Sequence, residues 1–125
     1  GILGIAAAVL GARHVDSVEI DRQVHPAVTA NAGRNGVTEQ IRVSAALPTD
    51  AAAYDLIVAN IVAAVLIEHA ATLCRRLRTA RGSLVLSGLL GDEVPTVVEL
   101  YAAELGCRPI VHARAGWHCL AFATG

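Results

Sequence analysis

Methionine and lysine are both missing from the 125 residues. Without Met the chain has no start residue of its own, so it is expected to be a fragment, or a processed or incompletely read product. Without Lys, all ten basic residues are Arg. That bias, with Ala the commonest residue, reads as the composition of a GC-rich source and not as a site. Cysteine is scarce: Cys74, Cys107 and Cys119 are an odd number with no C-x-x-C spacing. This argues against a disulfide framework or a zinc site and fits a reducing cytoplasm. The five His are scattered, with no H-x-x-x-H ligand pair, and no metal is expected. Net charge is −1 and the pI about 6.6, which argues against a general binder of nucleic acid or anionic membrane. No apolar stretch approaches the ~18 residues of a membrane span. The run Gly1–Leu10 is apolar but has no basic leader before it, so it does not read as a signal peptide.

What is present suits a packed core. Hydrophobic residues make up 54% and charged residues 17%, with mean hydropathy +0.53. One domain over residues 1–125 is expected, with no repeat and no linker.

The pattern alternates helix and strand. Gly1–Gly11 predicts a helix, because Ile2, Leu3, Ala6, Val9 and Leu10 share a face. Val15–Asp21 alternates apolar and polar residues and ends in acids, as a short strand would. His25-Pro26 opens a second helix that closes at Arg34-Asn35-Gly36. Gln40–Ala45 predicts a strand, Thr49–Ala53 a loop, and Tyr54–Asn60 a strand buried on both faces. Ile61–Arg78 predicts a helix with a basic last turn. Ser83–Ser87 predicts a buried strand, Gly88–Gly91 a loop, and Val94–Leu105 a helix with Pro95 in its first turn and Gly106 as its stop. Arg108–Ala113 and Trp117–Ala123 form a hairpin around Ala115-Gly116. Such alternation indicates an α/β fold, a mostly parallel sheet covered on both sides, with an antiparallel hairpin at its C-terminal end.

In open α/β sheets ligands bind outside the carboxyl ends of the strands. The strand-end candidates are Glu19 and Asp21, Ser44, Asn60, and Ser87-Gly88. Gly1-x-x-Gly4 admits two readings: a close ligand approach at a helix N-terminus, or close helix–strand packing. Glu19 is either a carboxylate for the ribose hydroxyls of a nucleotide cofactor or a solvated acid. Asp21 suits a helix cap. Asn60 is either a contact for a cofactor or an incoming amine, or the cap of the helix after it. Trp117 reads as an edge-strand packing residue.

The motifs narrow this further. G-I-L-G-I-A-A-A-V-L-G-A at residues 1–12 is similar to the continuation of the glycine motif of class I S-adenosylmethionine-dependent methyltransferases. V-E-I-D at 18–21, N-A-G-R-N-G-V at 31–37, Y-D-L-I-V-A-N-I-V-A-A-V-L at 54–66, G-S-L-V-L-S-G-L-L at 82–90 and G-W-H-C-L-A-F at 116–122 follow in order. Together they resemble the PrmA family, methyltransferases of large-subunit ribosomal protein eleven, over essentially the whole chain. The resemblance implies methyl transfer from S-adenosylmethionine to Lys side chains and the N-terminal amine of that ribosomal protein, in the cytoplasm. It implies an N-terminally truncated, Rossmann-like class I methyltransferase sheet, in which Gly1 and Gly4 end the glycine loop beside the cofactor. It implies that Glu19 binds the ribose, and that Asn60 lies beside the sulfonium and the entering amine. No acid follows the third strand in V-S-A-A-L-P, which implies that backbone and apolar contacts hold adenine.

The chain departs from the family pattern at its start. The first strand, the D-x-G-x-G half of the loop and the N-terminal substrate-recognition domain are not in it. The resemblance therefore implies two unpaired interior edges, one on the strand ending at Glu19 and one on the strand ending at Asn60. Two alternatives stand beside a protein methyltransferase. One is an NAD(P)-dependent oxidoreductase fragment, since Gly1-x-x-Gly4 would also end a dinucleotide G-x-G-x-x-G. The other is a non-catalytic remnant, or a module that needs a partner to supply the strand.

Overall fold

The computed structural model describes residues 1–49 and 53–125. It divides into two compact units, Gly1–Ala51 and Ala52–Gly125. Most of the expected Thr49–Ala53 loop lies outside the described residues.

In the first unit, helix α1 (Ile2–Val9) leads to strand β1 (Val15–Val18). A 3-10 turn over Arg22–Val24 and helix α2 (His25–Arg34) follow, then strand β2 (Ile41–Ser44). β1 and β2 pair in parallel, Val15 opposite Ile41 through Val18 opposite Ser44. β1 is shorter than the alternation suggested, because Glu19, Ile20 and Asp21 leave the ladder to enter the turn. Asp21 caps that turn, its Oδ1 accepting from the Gln23 amide at 2.9 Å. Helix α2 begins and ends where His25-Pro26 and Arg34-Asn35-Gly36 indicated. Ile5, Ala8, Ala32 and Val37 form the unit's core, with Val15 and Ile41 against it.

The second unit opens with strand β3 (Leu56–Asn60), helix α3 (Ala63–Arg76) and strand β4 (Ser83–Leu90). Helix α4 (Val94–Leu105) and the hairpin of β5 (Ile110–Arg114) and β6 (Trp117–Ala123) complete it. The sheet order is β3-β4-β6-β5. β3 and β4 are parallel; β4 with β6, and β6 with β5, are antiparallel. Thus β6 is interior and β5 is the outer strand. The hairpin turns at Ala115 and Gly116, with φ of 51° and 83°.

Both helices of this unit pack on one sheet face. Leu66, Ala70 and Leu73 of α3 and Val97, Val98 and Tyr101 of α4 join Leu84, Leu86, Leu120 and Phe122 in one core. The Tyr101 hydroxyl donates to the Leu66 carbonyl at 2.7 Å, so α4 is tied to α3 through a buried bond.

Three expectations need correction. β3 is not buried on both faces: Leu56 and Val58 are 47% and 39% exposed, while Ile57 and Ala59 face the core. A period-2 apolar strand looks the same whether one face or two is covered, so its residues do not settle the matter. Gly88–Gly91 is not a loop: β4 runs on to Leu90 through a bulge between Ser87 and Leu89. And β3 begins at Leu56, not at Tyr54, which makes an isolated bridge to Leu77; the strands form two sheets, β1-β2 and β3-β4-β6-β5, as a missing middle strand implies. Among the described residues β1 pairs only with β2, and β3 pairs only with β4 in the ladder, which leaves the implied edges of both without a strand.

Candidate functional site

The two units carry different parts of the expected site. In the first, Gly4 lies where α1 approaches β1. A Cβ on Gly4 would sit 3.2 Å from Val15 Cγ1, so close helix–strand packing is realised there. Gly1 caps α1 without a side chain, and a Cβ on it would sit 2.5 Å from Val28 Cγ1 in α2. The first-turn amides of α1 have no partner within the helix.

Glu19 follows directly on β1 and is half-buried. Its amide donates to the Ser44 carbonyl at 2.9 Å. Its carbonyl accepts from His25 Nε2 at 2.7 Å, which requires the Nε2–H form of that ring. The backbone of Glu19 is therefore held from both sides. Its Oε1 accepts the Asp21 amide at 3.2 Å. A carboxylate offers about four acceptor positions, so this one has capacity for further donors. His25 was not singled out from sequence. Its only signal is its place beside Pro26 at the start of α2.

In the second unit, Asn60 and Ser87 end the paired parts of β3 and β4 and lie opposite each other in register. Parallel neighbours are about 4.8 Å apart, so the two polar side chains form a pair on one face. Ile61, Val62, Gly88 and Trp117 complete a cleft of about 430 Å³ around them. That is within the range of small-ligand sites, roughly 300–1,000 Å³. Polar groups come from Asn60 and Ser87, and apolar walls from Ile61, Val62 and Trp117. None of these side chains is charged.

Asn60 does not cap the next helix. The N-cap of α3 is Val62, and it makes no side-chain cap bond. Trp117 is not an edge-strand packing residue: it starts the interior strand β6, is 56% exposed and lines the cleft. Its place opposite Leu90 depends on the bulge between Ser87 and Leu89, where the Gly88–Gly91 composition indicates a loop.

Among the described residues no group of three His, Cys, Asp or Glu could hold a metal ion, and no helix is long and apolar enough to cross a membrane. The cleft is thus suited to orienting a ligand with an amide and a hydroxyl against apolar walls, without a charged acid or base of its own.

Known proteins resemble the chain along nearly its whole length. The model of the family "Ribosomal protein L11 methyltransferase (PrmA)" matches residues 1–124. The ribosomal protein L11 methyltransferase of Dechloromonas aromatica is 42% identical over 121 residues, covering 97% of this chain and 40% of that protein. The one from Methylococcus capsulatus is 42% identical over 124 residues, covering 97% of this chain and 41% of that protein. The chain thus spans about two fifths of the length of these relatives. Among solved structures, a ribosomal protein L11 methylase from Lactobacillus delbrueckii subsp. bulgaricus superposes with a TM-score of 0.85. It is 31% identical and covers 97% of this chain and 63% of that one. An RNA methyltransferase from Salinibacter ruber, in complex with S-adenosyl-L-homocysteine, shares the fold at a TM-score of 0.73 and 16% identity, with 99% of this chain and 74% of that one covered. With the family model matching residues 1–124, the chain belongs to the ribosomal protein L11 methyltransferase (PrmA) family.

Proposed function

We propose that the protein transfers methyl groups from S-adenosylmethionine to amino groups of a large-subunit ribosomal protein, its Lys side chains and N-terminal amine. The observation that carries this reading is the Asn60–Ser87 cleft, polar at its strand ends, apolar at its walls and free of charged side chains. Residues 1–125 are read as part of one methyltransferase domain acting in the cytoplasm, without direct binding of nucleic acid or membrane.

The residues fit the cofactor. Glu19, an acceptor-only group with a fixed backbone and spare acceptor positions, suits two ribose hydroxyls. Gly1 and Gly4 pack on Val28 and Val15, and the unpaired first-turn amides of α1 beside them offer N–H donors to the methionine part. When bound, S-adenosylmethionine supplies a methyl carbon on a positively charged sulfur, and the neutral thioether left behind needs no acid.

The remaining work falls to the protein. The amine must arrive neutral, with its lone pair directed at the methyl carbon. Ile61, Val62 and Trp117 present apolar surface to the amine; with cofactor and substrate covering this open cleft, that surface would disfavour the charged ammonium and lower the amine's pKa. The Asn60 amide oxygen accepts one N–H and fixes the direction of the lone pair. With the cofactor bound, the methyl group would pass to the amine nitrogen, the sulfur would keep the electron pair of the broken bond, and the surplus proton would leave the nitrogen for water. Positioning and desolvation carry this reaction, in keeping with a cleft that has no titratable side chain.

The test is calorimetry with S-adenosylhomocysteine and with NAD, together with mass spectrometry of the ribosomal protein after incubation with S-adenosylmethionine, all on the protein as encoded. The expected result is binding of S-adenosylhomocysteine and not NAD, and added methyl groups on the ribosomal protein. Glu19→Ala should weaken S-adenosylhomocysteine by about 1.5–3 kcal/mol, the range for a hydrogen bond to a charged group. NAD binding alone, or no methyl transfer, would overturn the reading. An unchanged affinity in Glu19→Ala would remove that residue from the site.

A further inference from the structure

Strand β4 does something a regular pleat cannot. Ser83, Val85 and Ser87 point to one face, while Leu84 and Leu86 are buried on the other. Without interruption Leu89 would share a face with Ser87. Instead Ser87 pairs with Cys119, Leu89 pairs with His118, and Leu89 is buried in the core. Gly88 is the extra residue between these pairs, with φ +85°. This is a β-bulge with a left-handed glycine. It lets Ser87 line the cleft while its second neighbour fills the core.

The bulge also brings the bare Cα of Gly88 against Asn60. A Cβ built there would lie 2.8 Å from Asn60 Oδ1, 3.0 Å from the Ile61 carbonyl oxygen and 3.4 Å from the Ile61 nitrogen. These contacts differ in kind. The Ile61 atoms are backbone and would need to give by only a few tenths of an ångström. The Asn60 oxygen is the end of a side chain on an exposed residue, and it yields by rotating. A methyl group at this position therefore leaves the fold standing and turns the amide away.

We propose that Gly88 is a positioning residue for the methyl-transfer site: its missing Cβ is the space in which the Asn60 amide oxygen is held. The inference rests on the assignment of Asn60 to the entering amine. Two demands fall on one position, a left-handed backbone and room for the amide, and only glycine meets both.

Gly106 supplies the control. It ends α4 with φ +69°, and a Cβ on it would meet nothing within 4 Å. Gly106→Ala therefore imposes similar backbone strain without displacing any group. The experiment compares Gly88→Ala, Gly106→Ala, Asn60→Ala and the double variant Gly88→Ala/Asn60→Ala in the protein as encoded. It reads melting temperature, turnover and S-adenosylhomocysteine affinity. Both glycine variants should lower the melting temperature through backbone strain, Gly88→Ala somewhat more because the Ile61 backbone must also shift. Only Gly88→Ala should lower kcat, by about ten- to hundred-fold, the scale of a misplaced orienting group, with affinity changed by less than about twofold. In the Asn60→Ala background the Gly88 change should cost less than about twofold more, because the two act as one unit. Should Gly88→Ala alone fail to fold, recovery of folding in the double variant supports the same clash, and a double variant that also fails to fold overturns it. Full kcat in Gly88→Ala beside an impaired Asn60→Ala overturns this proposal alone, as does full additivity of the two losses. Full turnover in Asn60→Ala overturns both this proposal and the assignment of Asn60.

Discussion

Residues 1–51 bury Ile5, Ala8, Val28, Ala32 and Val37, whereas residues 52–125 bury Tyr101, Phe122, Leu66, Leu84, Leu86, Leu89 and Leu120 at 1% exposure or less. The first unit has a two-stranded sheet and the second a four-stranded one. All four aromatic residues and all three cysteines belong to the second. Apolar burial stabilises in proportion to area, about 25 cal/mol per Å², and a two-stranded sheet has little independent stability. Hence the second unit holds most of the stabilising surface, and its strand ends, Asn60 and Ser87, stand on the more rigid platform. The first unit fixes Glu19 by other means, through backbone bonds from His25 and to Ser44 on either side of it. Two halves with the same alternation of strand and helix thus place their polar groups by different physics, deep packing in one and local hydrogen bonding in the other.

The largest effect is expected from opening a cavity in the deeper core. Leu86 is 0% exposed and lies opposite Ala59 and Leu120 in the sheet. Leu86→Ala should cost about 2–5 kcal/mol, measured by urea unfolding, and Ile5→Ala in the first unit should cost less. Equal losses would break the comparison. A smaller, pH-dependent effect also belongs to the second unit alone. Burial, with help from Glu104 and Cys107, pushes the Cys74 thiol up from 9.0 to about 11. The folded state therefore holds this proton where the unfolded chain has released it. The associated stability is present below about pH 9 and is lost as pH rises towards about 11. Iodoacetamide should accordingly modify Cys74 slowly at pH 8 and faster as the pH approaches 11. Rapid modification at pH 8 in the folded protein would contradict this.

Where local chemistry fixes an element, its residues announce it. Pro95 and Gly106 bracket α4, whose observed bounds are Val94–Leu105. Ala115-Gly116 makes the hairpin turn. Asn60 and Ser87 were legible as strand-end polar residues because a parallel sheet concentrates function there. Gly88 was misread because a turn and a bulge ask the same thing of a glycine, a positive φ; only the partner strand tells them apart. Trp117 was misread for a related reason, since its exposure follows from the bulge opposite it. The open face of β3 was illegible because Leu56 and Val58 are as apolar as their core-facing neighbours. His25 stayed hidden because its role is a bond to the backbone of Glu19, for which no sequence spacing codes.

In the proposed function, Asn60 orients the entering amine while other groups chiefly hold the cofactor. The most direct test is a paired measurement on Asn60→Ala in the protein as encoded: turnover of methyl transfer, and the dissociation constant of S-adenosylhomocysteine by calorimetry. For Asn60→Ala, kcat should fall by at least about tenfold while the dissociation constant moves by less than about twofold. Equal losses of turnover and affinity would make Asn60 a cofactor-binding group and contradict the account.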